Sequence, residues 1–566
     1  MGVRARPDSN ASAQPTPWGK VLNRLAETVL TQHLLSTRVN PSLIAMSDMK
    51  KDSETGVDVD VGKPEHMEQV AITAAAEDHQ EGVIQSIRKH PLAFLWCVYA
   101  IYVLMLSSFD NQASGIVLGI PQFRKDFGTA FAGDYVLPAK WQSAYSGGPV
   151  ASAVVGSLGS GFVTDRFGRK WTYFLCYVII FAAITVEVIS TTNAIFFVGK
   201  FIAGFAVGGF ITVSMTYIGE VAPLALRGTL TAAAAIAFTI GPFIVSLVVK
   251  GTGAGTTRWA YRSIFVSQYA VSGLGILVLP FMPESPWWLV DHGKTEKAVR
   301  ALERLGYTGQ ETEKRLAVIS QTLEEVRKET DGASFFECFR KSNLRRTMIS
   351  VAPMSIQALC GVFFVAAYST YYQQLAGFST DMSFILGIIQ QILSMLGNIT
   401  SWFLIDRVGR RPLTIWGMVI LTVLLCVTGG LAVVGTVAAT KGTVALLLVY
   451  CYFYNVTIGA TAYTLLTEVA TSRLRAKTAS ISLALQNSLF TMWAFVIPFL
   501  FNPDQANLGA KVAFIFGALA ILSTVYLWFC QPETAGRSYE ELDELFMKKV
   551  PAREFKTFVT DTEQRQ

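Results

Sequence analysis

Charge is scarce in this chain. Only 16% of its 566 residues are Asp, Glu, Lys or Arg, where a soluble protein carries about a quarter. Histidine is rarer still, with five residues. The seven cysteines (Cys97, Cys176, Cys338, Cys360, Cys426, Cys451 and Cys530) form no CxxC pair and no metal-ligand spacing. They sit mostly in apolar runs and read as small packing residues. With no nucleophile motif either, the sequence offers no catalytic constellation, and no enzyme activity, metal or cofactor is expected. Residues 1–90 lack an apolar core ahead of a small-residue cleavage site, so no cleavable signal is read there. Arg6 stands where myristoylation prefers Ser or Thr. A disordered cytosolic tail is the expectation for this stretch. The net charge of +6 is modest and fits basic loops beside a bilayer rather than nucleic-acid binding.

What is abundant is apolar sequence: 51% of residues are hydrophobic and mean hydropathy is +0.40. Leu92 to Phe109 contains no charge at all and is long enough for a hydrocarbon core of ~30 Å. Apolar windows predict twelve transmembrane helices, near 92–115, 142–164, 171–190, 195–219, 229–249 and 263–282, then 346–369, 382–405, 412–433, 443–466, 476–499 and 511–530. The fold class is therefore an all-α membrane protein with two six-helix bundles, 91–282 and 346–530. A polar central loop, 283–345, carries short helices, and a cytosolic tail, 531–566, follows the last span.

Basic residues set the orientation. Arg166, Arg169 and Lys170 follow the second span, Arg227 the fourth, Arg407, Arg410 and Arg411 the eighth, and Arg473, Arg475 and Lys477 the tenth. All fall on the side of both termini and the central loop, which the positive-inside rule makes cytoplasmic. The acceptor-like sequences at Asn398 and Asn455 then lie within spans and should carry no glycan. The halves also repeat each other. Asp165-Arg166-Phe167-Gly168-Arg169-Lys170 answers Asp406-Arg407-Val408-Gly409-Arg410-Arg411, Glu220 with Arg227 answers Glu468 with Arg473, and Pro283-Glu284-Ser285 answers Pro532-Glu533-Thr534. Duplicated bundles with a site between them suit alternating access.

These motifs resemble a known family. Gly161-x-x-x-Asp165-Arg166-x-Gly168-Arg169-Lys170 resembles the loop signature of the major facilitator superfamily, and Pro283-Glu284-Ser285-Pro286 with Pro532-Glu533-Thr534-x-Gly536-Arg537 resembles its sugar porter branch. Gln357-Ala-Leu-Cys-Gly361, Leu344-Arg-Arg-Thr347 and Ser472-Arg-Leu-Arg-Ala-Lys477 are most similar to the fungal maltose/α-glucoside permeases. The resemblance implies the twelve-helix major facilitator fold. It also implies a secondary-active transporter that moves a sugar, a hexose or α-glucoside-like disaccharide, across the plasma membrane. Proton symport is left open. The implied partners are that solute, the lipid bilayer and, with symport, protons; no nucleic acid is expected, and the chain should act as a monomer. Two alternatives stay open: a carrier of a non-sugar molecule such as a secondary metabolite or quinate-like acid, and a sugar sensor that does not transport.

Site residues follow. Asp165, Arg166, Arg169, Glu220 and Arg227, mirrored by Asp406, Arg407, Arg410, Glu468 and Arg473, are expected to latch the halves at the cytoplasmic side through charge-assisted hydrogen bonds. By resemblance, Gln357, Tyr463 and Asn487 line the solute cavity. Tyr368, Tyr371 and Tyr372 read equally as an outer gate or an interfacial belt. Asp110 and Lys200 are ionisable residues inside apolar spans, hence functional candidates. The resemblance implies that they pair and that Asp110 couples protons. Some family positions differ here: Ser107-Ser108-Phe109 precedes Asp110 in place of Glu-Gly-Tyr, Ala153 and Leu483 replace charges, and Pro242 and Ala358 replace glutamines.

Overall fold

The computed structural model describes residues 83–131, 134–330, 335–471, 474–535, 537 and 539–560, all within one compact unit. Of the tail expected over 1–90, residues 1–82 lie outside the described residues, while Val83–Lys89 is a helix leading into the first span. The first half comprises spans one to six: Pro91–Ile116, Ala139–Phe167, Arg169–Ile189, Asn193–Val221, Leu224–Thr252 and Trp259–Val278. The second half supplies span seven as Lys341–Leu359 plus Val362–Leu375, then Thr380–Val408 and Arg410–Val434. Span ten is Val437–Val456 plus Ile458–Val469, followed by Arg475–Phe501 and Ala513–Cys530.

Eleven of these, among the described residues, are long and apolar enough to cross a membrane. The exception is Ala139–Phe167, 29 residues long and thus roughly 43 Å at 1.5 Å per residue. Its low hydropathy comes from Gly and Ser, and its packing explains them. Gly204 and Gly208 of span four face it so closely that a Cβ would lie 2.3 Å from the Pro149 carbonyl oxygen and 2.1 Å from that of Ala153. Small residues four apart let two backbones meet, which is how helices associate where lipid offers no hydrophobic drive. The hydroxyls of Ser152, Ser157 and Ser160 in span two bond carbonyls of their own helix.

Two spans expected to be continuous are broken. Span seven breaks at Gly361, in the left-handed region at φ +90°, and span ten breaks at Thr457, φ −110° and ψ −104°. Between the halves, the central segment forms helices Pro286–Asp291, Thr295–Arg304 and Gln310–Thr330. The C-terminal helix Tyr539–Met547 is held to the second half by an Arg346–Asp543 ion pair, with Arg346 lying 4.8 Å from the Phe546 ring centroid. We call the side bearing these segments the loop face and the other the far face.

Candidate functional site: polar groups within and between the two bundles

At the loop face the two halves carry one construction twice. Gly168 and Gly409, with φ of +95° and +96°, turn the chain from one span into the next. The new helix starts at Arg169 or Arg410 with unsatisfied N–H groups. A distant carboxylate accepts them. Glu284 takes the N–H of Arg169 at 2.8 Å and of Lys170 at 3.1 Å. Glu533 takes those of Arg410 at 3.0 Å and Arg411 at 3.2 Å. A negative charge at a helix N-terminus also favours the helix dipole. The arginine side chains then bind the second repeated glutamate, Arg169 to Glu220 and Arg410 to Glu468, the latter at 3.1 Å.

In this conformation the described bonds differ from the expected latch. Arg169 and Glu220 belong to the same bundle, as do Arg410 and Glu468, so these bonds brace each half internally and do not join the halves. Asp165 lies near enough to Arg169 for its carboxylate to feel the guanidinium charge, but the guanidinium binds Glu220 instead. The aspartate precedes the glycine turn and is exposed with Arg166, while its backbone carbonyl accepts the Trp288 indole N–H at 2.8 Å. Arg407 is likewise exposed. Arg473 lies outside the described residues, as do the side chains of Arg227 and Asp406.

In the second half, side chains bridge the two helix breaks. Gln357 on span seven donates through Nε2 to the carbonyls of Ile458 at 2.9 Å and Gly459 at 3.1 Å, in the first turn of the helix that resumes after the span-ten break. Tyr450 on span ten donates to the Cys360 carbonyl beside the span-seven break at 2.7 Å. Irregular backbone inside a membrane protein requires such partners. The Gln357 Oε1 accepts in turn from Gln486 Nε2 at 2.6 Å. Of the three expected cavity residues, Gln357 is buried with its amide engaged on both ends, so in this conformation it holds the scaffold and presents no free donor. Asn487 is half-buried, one position beyond the glutamine that makes the contact. Tyr463, six residues past Thr457, is 47% exposed.

The first half holds a buried ionic cluster. The Lys200 Nζ lies 2.9 Å from Asp110 Oδ1 and 3.3 Å from Glu187 Oε1, and all three side chains are 0% exposed. Gln268 Nε2 also donates to Asp110 Oδ1, at 3.2 Å, and the ammonium sits 4.9 Å from the Phe265 ring centroid. Lys200 is seven residues into the helix that starts at Asn193, about 10 Å below the far face.

At the far face the halves touch directly. Gln142 on span two donates to Asn502 Oδ1 at 2.8 Å, as does the Tyr371 hydroxyl at 3.1 Å. Tyr368 donates to Ser146 at 3.3 Å, and Ser143 to the Phe495 carbonyl at 2.9 Å. Arg124 donates to Gln374 Oε1 at 2.8 Å, and Gln374 donates back to the Gly119 carbonyl at 2.6 Å. Lys250 on span five pairs with Asp381 at the start of span eight. Tyr368 and Tyr371 are thus part of a seam between halves, with Asn502 at its centre.

A family profile described as Sugar (and other) transporter matches residues 96–546. The chain belongs to the sugar transporter family. A general alpha-glucoside permease of Saccharomyces cerevisiae is 29% identical to this sugar transporter over 498 residues, covering 86% of this chain and 80% of the permease. The maltose permease MAL61 of that yeast is 30% identical over 500 residues, covering 86% and 81%. Among solved structures, the xylose transporter XylE from E. coli in a partially occluded inward-open conformation matches with a TM-score of 0.65 at 20% identity, over 79% of this chain and 100% of XylE. The proton:xylose symporter XylE bound to 6-bromo-6-deoxy-D-glucose matches at 0.63 and 22% identity, over 81% and 100%. These likenesses show the major facilitator fold of an all-α, multi-pass membrane transporter.

Sequence reading missed Glu187, Gln486 and Asn502 of this sugar transporter. Glu187 carried the same signal as Asp110, an acid inside an apolar span. Gln486 and Asn502 carried none, because their partners lie more than 100 residues away in the chain.

Proposed function

We propose that this sugar transporter is a proton-coupled carrier of α-glucosides or hexoses in the plasma membrane, working as a monomer by alternating access. The loop face, with the central segment and both termini, is cytosolic. The observation that carries the reading is the seam at the far face. Hydrogen bonds join the halves there, while at the loop face each half is braced within itself by its own glutamate–arginine pair. Two rigid bodies sealed at one end can rock to open that end and close the other, exposing one central site to each side in turn. The names of the yeast permeases support the substrate class, and the proton:xylose symporter supports coupling. The buried cluster of Asp110, Glu187 and Lys200 in the first bundle is the group of side chains that would respond to a proton. The loop-face glutamates and arginines act as braces that keep each half rigid. The chain acts as a carrier and not as a catalyst.

One feature favours a non-sugar solute instead. Pro242, inside span five, stands where sugar porters place a glutamine, and Gln357 is committed to the span-ten break, so polar groups for sugar hydroxyls are thinned. The test is uptake by transport-null yeast of labelled maltose, glucose, xylose and quinate, with and without a protonophore. Accumulation of maltose or glucose that the protonophore abolishes is the expected result. Uptake of quinate alone would replace the substrate assignment, and sugar uptake insensitive to the protonophore would remove the coupling.

A further inference from the structure

Three buried ionisable groups meet in the first bundle, two acids and one base. Fully ionised, Asp110, Glu187 and Lys200 carry a net charge of −1 with no exposure to water. An uncompensated charge in a low-dielectric interior costs several kcal/mol, so the closed cluster is neutral only with one added proton. The two acids are not equivalent. Asp110 Oδ1 accepts from both Lys200 and Gln268, bonds that favour its anion. Glu187 touches Lys200 only at 3.3 Å, and neither of its carboxyl oxygens has a hydrogen bond. A carboxylate buried without hydrogen bonds is the costlier ion to keep.

The surroundings are built around this side chain. A Cβ at Gly199 would lie 2.8 Å from the Glu187 Cγ, so the glycine before Lys200 makes the room that lets the carboxyl approach the ammonium. Charged groups brought near by neighbouring helices are Asp110 from span one, Lys200 from span four and Arg262 from span six. The Arg262 guanidinium lies 3.5 Å from the Ser190 carbonyl oxygen, three residues past Glu187. Gln268 and the Phe265 ring complete the wall from span six.

We propose that Glu187 holds the transported proton, with Asp110 and Lys200 as a permanent ion pair beside it. The inference rests on the proton-coupled reading above and names the group that carries it out. When the far face opens, a proton from outside water binds the Glu187 carboxylate, and the cluster becomes neutral and can be sealed with solute aboard. When the loop face opens, that proton leaves to cytosolic water and Glu187 returns to its anion. One proton crosses per solute, and no other group changes its bonds.

The experiment uses the full-length protein in proteoliposomes. Wild type should accumulate labelled maltose or glucose against its gradient when an inward proton gradient is imposed. Glu187→Gln, which mimics the protonated acid, should lose that accumulation and fall to simple equilibration, while still exchanging internal for external sugar in counterflow. Its sugar affinity should no longer vary between pH 5 and pH 8. Accumulation by E187Q equal to wild type overturns the inference. If wild type itself shows no gradient-driven accumulation, the coupled reading fails and takes this one with it, an outcome distinct from failure of the variant alone. Infrared spectra keep the proposal open to contradiction even if E187Q folds poorly. Folded wild type should show a protonated-carboxyl stretch at pH 7, and its absence overturns the assignment.

Discussion

A Cβ on Gly168 would lie 2.5 Å from an oxygen of Glu284, and one on Gly409 the same distance from an oxygen of Glu533. Both glycines also combine positive φ with an extended ψ, 171° at Gly168 and 159° at Gly409, a region essentially reserved for glycine where an L side chain adds roughly 1–3 kcal/mol. Alanine at either site should therefore strain the turn and displace the capping carboxylate, for a loss of about 2–4 kcal/mol when the cap is included. Surface expression and thermal stability in detergent should fall to a similar degree for G168A and G409A. A large effect at one site and none at the other would show that the two halves do not use one construction. Gln357 gives a second residue-level outcome. Reading the sequence alone, its loss should weaken solute binding and leave folding intact. The geometry gives it a structural role as well: Gln357→Ala strands the buried Gln486 amide and removes the bridge from span seven to the Ile458 and Gly459 carbonyls, at about 1–3 kcal/mol for the stranded group. The melting temperature of purified Q357A should drop by several degrees, and an unchanged value would contradict the bracing role. The loop motifs were legible as motifs because they repeat. Their partners were not, because a helix cap supplied from over 100 residues away leaves no local pattern.

Helices were the most legible elements, since a run of apolar residues long enough for a bilayer has few other readings. The breaks in spans seven and ten were not legible, because Gly361 and Thr457 are ordinary residues in apolar runs and the side chains that bridge the breaks, Tyr450 and Gln357, lie about 90 or more residues away. The approach of spans two and four depends on Gly204 and Gly208. Gly204→Val should prevent delivery to the membrane, since even its Cβ would lie 2.3 Å from the Pro149 oxygen. Gly219→Ala, where nothing lies within 4 Å, should be tolerated. Fluorescent fusions scored for surface signal check both, and normal delivery of G204V would remove the close approach. Topology makes a further element-scale prediction. Asn398 is buried in span eight, and Asn455, whose amide donates to the Cys451 carbonyl at 2.8 Å, lies inside span ten. Neither should carry a glycan, and an endoglycosidase-sensitive mass at either site would contradict the membrane arrangement.

At the scale of the whole molecule, the internal repeat announced two halves, but which end they meet at could be read only from three-dimensional contacts. The seam joins residues far apart in sequence, as with Gln142 and Asn502, 360 positions apart. It also explains why Asn502, just beyond the eleventh span, is fully buried: it accepts from Gln142 and Tyr371 and donates to the Leu137 carbonyl at 3.0 Å. Rocking of the halves requires this set of bonds to part once in each cycle. The most direct measurement is sugar uptake by the double variant Gln142→Cys/Asn502→Cys, made with Cys426 and Cys530, the two partly exposed cysteines, replaced by serine. Uptake is compared before and after joining the pair with a short bifunctional thiol reagent that a reductant can cleave. The account predicts transport while the thiols are free, loss on joining and recovery on cleavage; uptake that continues with the halves joined at the far face would contradict it.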